Sequence, residues 1–423
     1  MNWLAPSLAL LLVLPALAQE LPAPGAAPQA RPLRGHVDWQ GHPAIHIPYR
    51  LFQAPFQERE PRRGLSWRHM LRQTVHAPYL RRSGVRVFVA AALAAEKARS
   101  REEAFALIEA QLQEVEAFVA ANPAGFALAR CPQEARELLT RTDKIVIVHS
   151  IEGMARVLAC AEDARRWAAR GVVVATLIHL RDDEFGGAGV NPGLVGTLIN
   201  PRGVWRDLRD RERGLSPHGR EAIRWLHEAG VLVDLTHMHP QAVDDALEVC
   251  RAHGIPPLVT HGQLATIRDT QRGFSDRQVR EIYRLGGTFA LPISGVLLDP
   301  RRPRVPVPEG YRPGTLDAFQ LHAETLARLL RESAPQLLGR PWERLSEAER
   351  TRLSFGWSSD WNGFVNHSRP TGEGPLEIDT LGLAHPGLLP QYWQRLEEQG
   401  LDLDPLLRAP EVFLDLWTRV TAR

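Results

Sequence analysis

The chain has 423 residues, 44% of them hydrophobic and 24% charged, with a formal net charge of +2. That is ordinary globular composition, and so balanced a charge gives no footprint for nucleic acid or for an acidic membrane surface. The three cysteines, Cys131, Cys160 and Cys250, are far apart, make no C-x-x-C pair and set up no disulfide framework.

The first twenty residues, MNWLAPSLALLLVLPALAQE, carry an apolar core from Leu8 to Leu14 and a small-x-small site at Ala16-Leu17-Ala18. They read as a secretory signal over 1–18, cut before Gln19, which implies an exported protein, periplasmic or extracellular. The run is short for a bilayer span of ~20 residues, and no later run is long enough, so no membrane span is expected after cleavage. Residues 19–34 are rich in Pro and Ala and read as a flexible leader. Residues 35–423 then read as a single domain.

Within it, short runs of Val, Ile, Leu and Ala alternate with longer amphipathic segments. Eight strands are predicted, at Leu33–Trp39, Val85–Ala91, Ile145–Val148, Val172–Ile178, Val231–Leu235, Leu258–Thr260, Thr288–Ile293 and Leu353–Ser358. Helices separate many of them. Arg101–Ala121 has apolar residues at helical spacing. SPHGREAIRWLHEAG has a Ser216 N-cap, Pro217 at the first helical position and Gly230 as C-cap. SDRQVREIYRLGG repeats that plan from Ser275. The Pro- and Arg-rich stretch Leu297–Pro313 suits neither helix nor central strand and reads as a loop excursion. Eight strands alternating with helices predict an α/β chain folded as a (β/α)8 TIM barrel, whose active groups should follow the strands.

They do follow them. His149 and Glu152 end KIVIVHSIEG, His179 ends VVVATLIHL, His237 and His239 end VLVDLTHMH, His261 ends PPLVTHG and Asp360 ends LSFGWSSDWNG. The opening run HVDWQGHPAIH (36–46) ends a first strand in the same way. Imidazoles and carboxylates at successive strand ends converge on one mouth, and that donor set suits zinc, with manganese, cobalt or iron as alternatives. Glu152, His237 and His261 would be ligands from three strands. Asp360 could take a proton from an activated water and return it to a leaving amine, and His179 could stabilise a developing oxyanion.

Six strings in order resemble the membrane (renal-type) dipeptidases, zinc metallopeptidases of the amidohydrolase-like group. SIEG resembles the segment of the metal-bridging glutamate, here Glu152. GVVVATLIHL resembles the strand ending in a substrate-facing histidine, here His179. GLSPHGREAIRWLHEAGVLVDLTH and PPLVTHG resemble the segments giving ligands His237 and His261. RGFSD resembles the segment whose arginine holds the substrate carboxylate, here Arg272, and GWSSDWNG the one giving Asp360. The resemblance implies a metal-dependent hydrolase barrel that cleaves dipeptides or similar small substrates, with homodimer formation left open.

The first strand admits two registers. One takes His36 and Asp38 as the metal-binding pair. The other aligns VDWQGHP with the family's D-x-H-x-D or D-x-H-x-H-P, which places Gln40 and His42 at the ligand positions and Asp38 behind them. Both pairs are even-numbered and would share one face. Placement at the strand end and the VD…HP frame favour Gln40 and His42. Gln40 then stands where the family has histidine, so one tight metal and a weaker second are expected. Asn362, where the family often has aspartate, is a second departure. Two other readings remain: hydrolysis of a small ester, lactone or cyclic amide, and a non-catalytic homologue that binds small carboxylates. His46, His239, His322 and His367 read as mouth, rim, surface or loop residues.

Overall fold

The computed structural model describes residues 33–44, 75, 77–93, 98–190, 194–209, 211–363 and 365–422. The signal segment, nearly all of the leader, and His46 lie outside the described residues. Eleven strands appear in chain order: β1 His36–Gly41, β2 Val85–Leu93, β3 Phe126–Leu128, β4 Ile145–Glu152, β5 Val172–Thr176, β6 Leu232–Asp234, β7 Leu258–Val259, β8 Gln263–Leu264, β9 Gly273–Phe274, β10 Thr288–Pro292 and β11 Gly356–Ser358.

Eight of these close a parallel barrel in the order β1-β2-β4-β5-β6-β7-β10-β11, with β11 pairing back onto β1. Each lies on one of the eight predicted runs. The other three escaped prediction. Strand β3 is only three residues long and pairs with the start of β4, while β8 and β9 are a two-residue pair in the loop after β7. Such short pieces carry no periodicity of their own.

The barrel strands are buried on both faces, which is why β2, β4 and β5 read as nearly continuous Val, Ile and Ala runs. Inside, Val37, Trp39, Val87, Val89, Val146, Val148, Val174, Leu232, Leu258 and Ala290 form one cluster with Phe413, Leu414 and Trp417 of the helix Ala409–Thr421. Trp39 meets Phe413 with ring centroids 5.4 Å apart, so that last helix plugs the N-terminal end of the barrel. Outside, Ile145, Ile147 and Ile151 pack under helices such as Arg101–Ala121.

Local signals fix the helix starts. Ser100 accepts from Glu103 N, Ser216 accepts from Gly219 N, and Ser275 and Gln278 form a reciprocal capping box. Among the described residues no helix is long and apolar enough to cross a membrane. All three cysteines are free, with Cys131 and Cys160 exposed and Cys250 buried.

Candidate metal centre

The C-terminal ends of β4, β6 and β7 bring Glu152, His237 and His261 together. Among the described residues they are the one group of three whose ligand atoms all lie within 4.8 Å of one another, and all three are buried. Glu152 Oε1 is 3.0 Å from His237 Nε2 and 3.3 Å from His261 Nε2. The two Nε2 atoms are 2.9 Å apart.

Beneath them lies a hydrogen-bonded layer built on Asp234, at the end of β6. Its carboxylate accepts from Thr176 Oγ1 (2.6 Å), Thr236 Oγ1 (2.6 Å) and Thr260 Oγ1 (2.7 Å). Thr260 Oγ1 gives its proton to Asp234, so it accepts from His261 Nδ1 at 2.8 Å. That fixes the tautomer of His261 and leaves the Nε2 lone pair aimed at the cluster. Glu152 Oε1 is buried and accepts no hydrogen bond. Two convergent imidazole nitrogens and a bare carboxylate oxygen suit a divalent cation.

A second set faces Glu152 from the other side. His42 Nε2 lies 3.1 Å from Glu152 Oε2, 3.0 Å from Asp360 Oδ1 and 3.3 Å from Gln40 Nε2. Its Nδ1 sits 3.2 Å from the Ala91 carbonyl, which again turns Nε2 inward. Burial alone would lower the His42 pKa, but Glu152 and Asp360 outweigh it and hold it at about 10. Gln40 Oε1 is buried without a partner. His179 Nε2 is 3.5 Å from Glu152 Oε2, and Arg272 Nη2 is 3.2 Å from His237 Nε2.

The remaining shifts follow from burial and neighbours. Glu152 is held well below the usual carboxylate range, because His179 and His42 overcome a burial that would raise it. His237 is well below the usual range for histidine, first through burial and then through Arg272 and His179. Burial likewise lowers His261 and Arg272.

The expectation that the four first-strand candidates share one face fails. Register shifts in the β1–β2 pairing between His36 and Val37, and between Asp38 and Gly41, break the alternation. His36 stacks on Trp393 at 4.7 Å and accepts from Trp357 Nε1, on the outside of the barrel and away from the cluster. Asp38 is fully buried beside the cluster, accepts from Ser359 N at 2.8 Å, and is pushed by burial up to about 7. Gln40 and His42 reach the cluster. A Cβ on Gly41 between them would fall 2.6 Å from the Phe88 ring, so the turn needs glycine.

Strain marks the same place. Five described non-glycine residues have left-handed backbone, and three of them, His237 (φ 71°), Asp360 (φ 53°) and Asn362 (φ 64°), are at this mouth. Asn362 Nδ2 donates to the His42 carbonyl, and Asp360 N donates to that of Gln40, so the β11 loop holds the β1 end in place.

Of the histidines outside the cluster, His149, His322 and His367 are buried and His239 is half-buried at the rim. His322 is not a surface residue: it is buried on the helix Asp317–Leu338, accepts from Leu264 N and donates to the Leu298 carbonyl. His367 lies in a loop but is buried, stacked on Trp361 at 3.9 Å and bonded to the Ser359 carbonyl. His149 faces outward toward Glu116, 3.6 Å away, because strand alternation puts it opposite Glu152. His239 is a rim residue that caps the helix Pro240–His253. Asp234 and its threonines escaped sequence reasoning, although the D-x-T-H string that carries His237 also carries Asp234 and Thr236.

Residues 45–307 match the family model described as membrane dipeptidase (peptidase family M19). That segment holds Glu152, His179, His237, His261 and Arg272, whereas Gln40, His42 and Asp360 lie outside it. An uncharacterized dipeptidase of Schizosaccharomyces pombe is 27% identical over 157 residues, 37% of this chain and 34% of its own, so the match spans about a third of that relative's length. Two solved structures share the fold. One is a metallo peptidase from Rhodobacter sphaeroides liganded with a phosphinate mimic of the dipeptide L-Ala-D-Ala (TM-score 0.61, 16% identity, 91% of this chain and 99% of that one). The other is a probable dipeptidase from Pseudomonas aeruginosa (TM-score 0.60, 17% identity, 92% and 96%).

Proposed function

The chain belongs to the membrane dipeptidase family, and on that footing we propose that it is an exported metal-dependent dipeptidase. The observation that carries this reading is the buried convergence of Glu152, His237 and His261 under Asp360, His179 and Arg272. Glu152, His237 and His261 would hold one divalent ion tightly, zinc first among the candidates. Such an ion supplies Lewis-acid polarisation of a carbonyl and a more acidic water.

The protein's own groups do the rest. Arg272 binds the carboxylate of a small peptide through charge-assisted hydrogen bonds. Asp360 moves a proton from the attacking water to the leaving amine. His179 donates to the developing oxyanion. The barrel walls keep bulk water out, which strengthens each of these contacts.

The second position, formed by Gln40, His42 and Glu152, is the weaker one, because the amide oxygen of Gln40 is a poorer donor to zinc than imidazole.

Two measurements test the reading. Metal content per chain should be one, rising toward two in Gln40→His. A dipeptide panel with zinc, manganese or cobalt should be hydrolysed. Silence across the panel from a metal-loaded protein rejects the activity. Activity only on lactones, cyclic amides or small esters changes the bond.

A further inference from the structure

Four large apolar side chains are exposed among the described residues, and three of them fall within eleven positions: Leu198 (69% exposed), Trp205 (49%) and Leu208 (80%). Scattered single apolar residues are normal on a surface, but a cluster is not. Leu198 and Trp205 sit on two short helices, Leu194–Ile199 and Pro201–Asp207, and Leu208 caps the C-terminal end of the second; the two are joined at Asn200, which caps the start of the second by accepting from Gly203 N. On the second helix Gly203 is buried and Val204 and Asp207 are half-buried, so Trp205 shares the outer arc with Arg202 and Arg206. Arg209 lies over the Trp205 ring at 4.5 Å, and Arg211 is also exposed.

Arg206 is itself paired, its Nη1 3.4 Å from Asp182 Oδ2, so the charge of the outer arc rests on Arg202, Arg209 and Arg211; the acids Asp182 and Asp207 are otherwise engaged within the lobe. Arg213, with a fully buried side chain, reaches Asp182 at 2.7 Å and Asp207 at 2.9 Å. It also donates to Gln271 Oε1 at 2.9 Å, and Gln271 Nε2 donates to Asp207 at 2.7 Å. Gln271 precedes Arg272, so the lobe is tied to the loop that lines the mouth. Glu212 is exposed, and Asp210 lies outside the described residues.

Tryptophan and leucine ringed by arginine on one outer face is the chemistry of the lipid–water interface. We infer that the lobe formed by 194–209 and Arg211 docks the mouth end of the barrel on an anionic lipid surface. Leu198, Trp205 and Leu208 enter the headgroup layer and the arginines meet lipid phosphates. The near-neutral charge of the whole chain does not oppose this, since such attraction acts within about a Debye length. A second copy is the poorer occupant. A two-fold contact would set this patch against itself and press like charges together.

The test is co-sedimentation of the full chain with phosphatidylglycerol-rich vesicles and with phosphatidylcholine vesicles, at low and high salt. Binding is expected on the anionic vesicles and should fall with salt. It should drop roughly tenfold in Trp205→Ser/Leu208→Ser and in Arg202→Gln/Arg209→Gln. The charge variant removes no buried group, so it keeps the test valid if the serine variant misfolds. The N-terminal apolar run is common to all forms, so equal binding by wild type and both variants overturns the inference. Absence of binding to anionic vesicles at low salt overturns it too. A variant that changes only the oligomeric mass, without any vesicle binding, assigns the patch to a copy–copy contact and overturns it as well.

Discussion

At the scale of single residues, the proposed function separates groups that would bind a metal from groups that would act beside it. Asp360→Asn removes the proposed proton carrier but none of Glu152, His237 and His261. Metal content should stay at wild type while kcat falls roughly 10²–10⁴-fold, and a loss of metal in parallel would move Asp360 into the ligand set. Asp234→Asn leaves those same three ligands intact but disturbs the bond that turns His261, through Thr260. Metal affinity should drop roughly 10–100-fold by competition with a chelator. An unchanged affinity would show that Thr260 alone orients the ring. The ligand candidates were legible because each follows an apolar run that could only be a strand. Asp234 was not, since a carboxylate that serves another side chain looks no different in sequence from one that serves solvent.

At the scale of elements, strand positions were written in the chain and strand faces were not. All eight barrel strands overlap the predicted runs, most plainly β2, β4 and β5, because a parallel strand buried on both faces is mostly apolar. In β1 the alternation rule was misleading. Its register shifts let Gln40 and His42 enter the mouth while His36 packs outside against Trp357 and Trp393. Gly41 is the residue that permits this. In Gly41→Ala the new methyl would meet Phe88 and Ser359. Denaturant unfolding should show a loss of roughly 1–3 kcal/mol. A neutral substitution would mean that the β1 end has room to relax.

At the scale of the whole molecule, buried histidines link the fold to pH. Burial lowers His36 and His149 from 6.5 to about 4 and His322 to about 3. Between those values and 6.5 the unfolded chain binds protons that the folded chain refuses. The contribution of these three groups is therefore complete above about pH 6.5 and is lost as pH falls toward 4, by at most about 3 kcal/mol per group, while Asp38, raised to about 7, runs the other way over the same window and offsets one of them. Urea unfolding at pH 7 and pH 4.5 measures this, and His149→Leu should flatten the slope by about one proton. A stability flat across that range would contradict the neutral burial of all three. Removing the metal with a chelator at pH 7 should lower Tm, since an ion bound only by the folded state stabilises it by mass action.

The sequence by itself determined the barrel, its order of strands and the residue types at their C-terminal ends, because burial on both faces and helix capping are local requirements that leave local marks. Only the tertiary structure decided which first-strand residues face the cluster, that Asp234 fixes His261, and that His322 and His367 are buried. Each of these depends on a partner far away in the chain: β2 and Phe88 for the β1 bulge, Thr260 for Asp234, Leu264 and Leu298 for His322, and Ser359 with Trp361 for His367. A side chain's burial and hydrogen-bond partner are set by what packs against it, and periodicity along one segment holds no record of that.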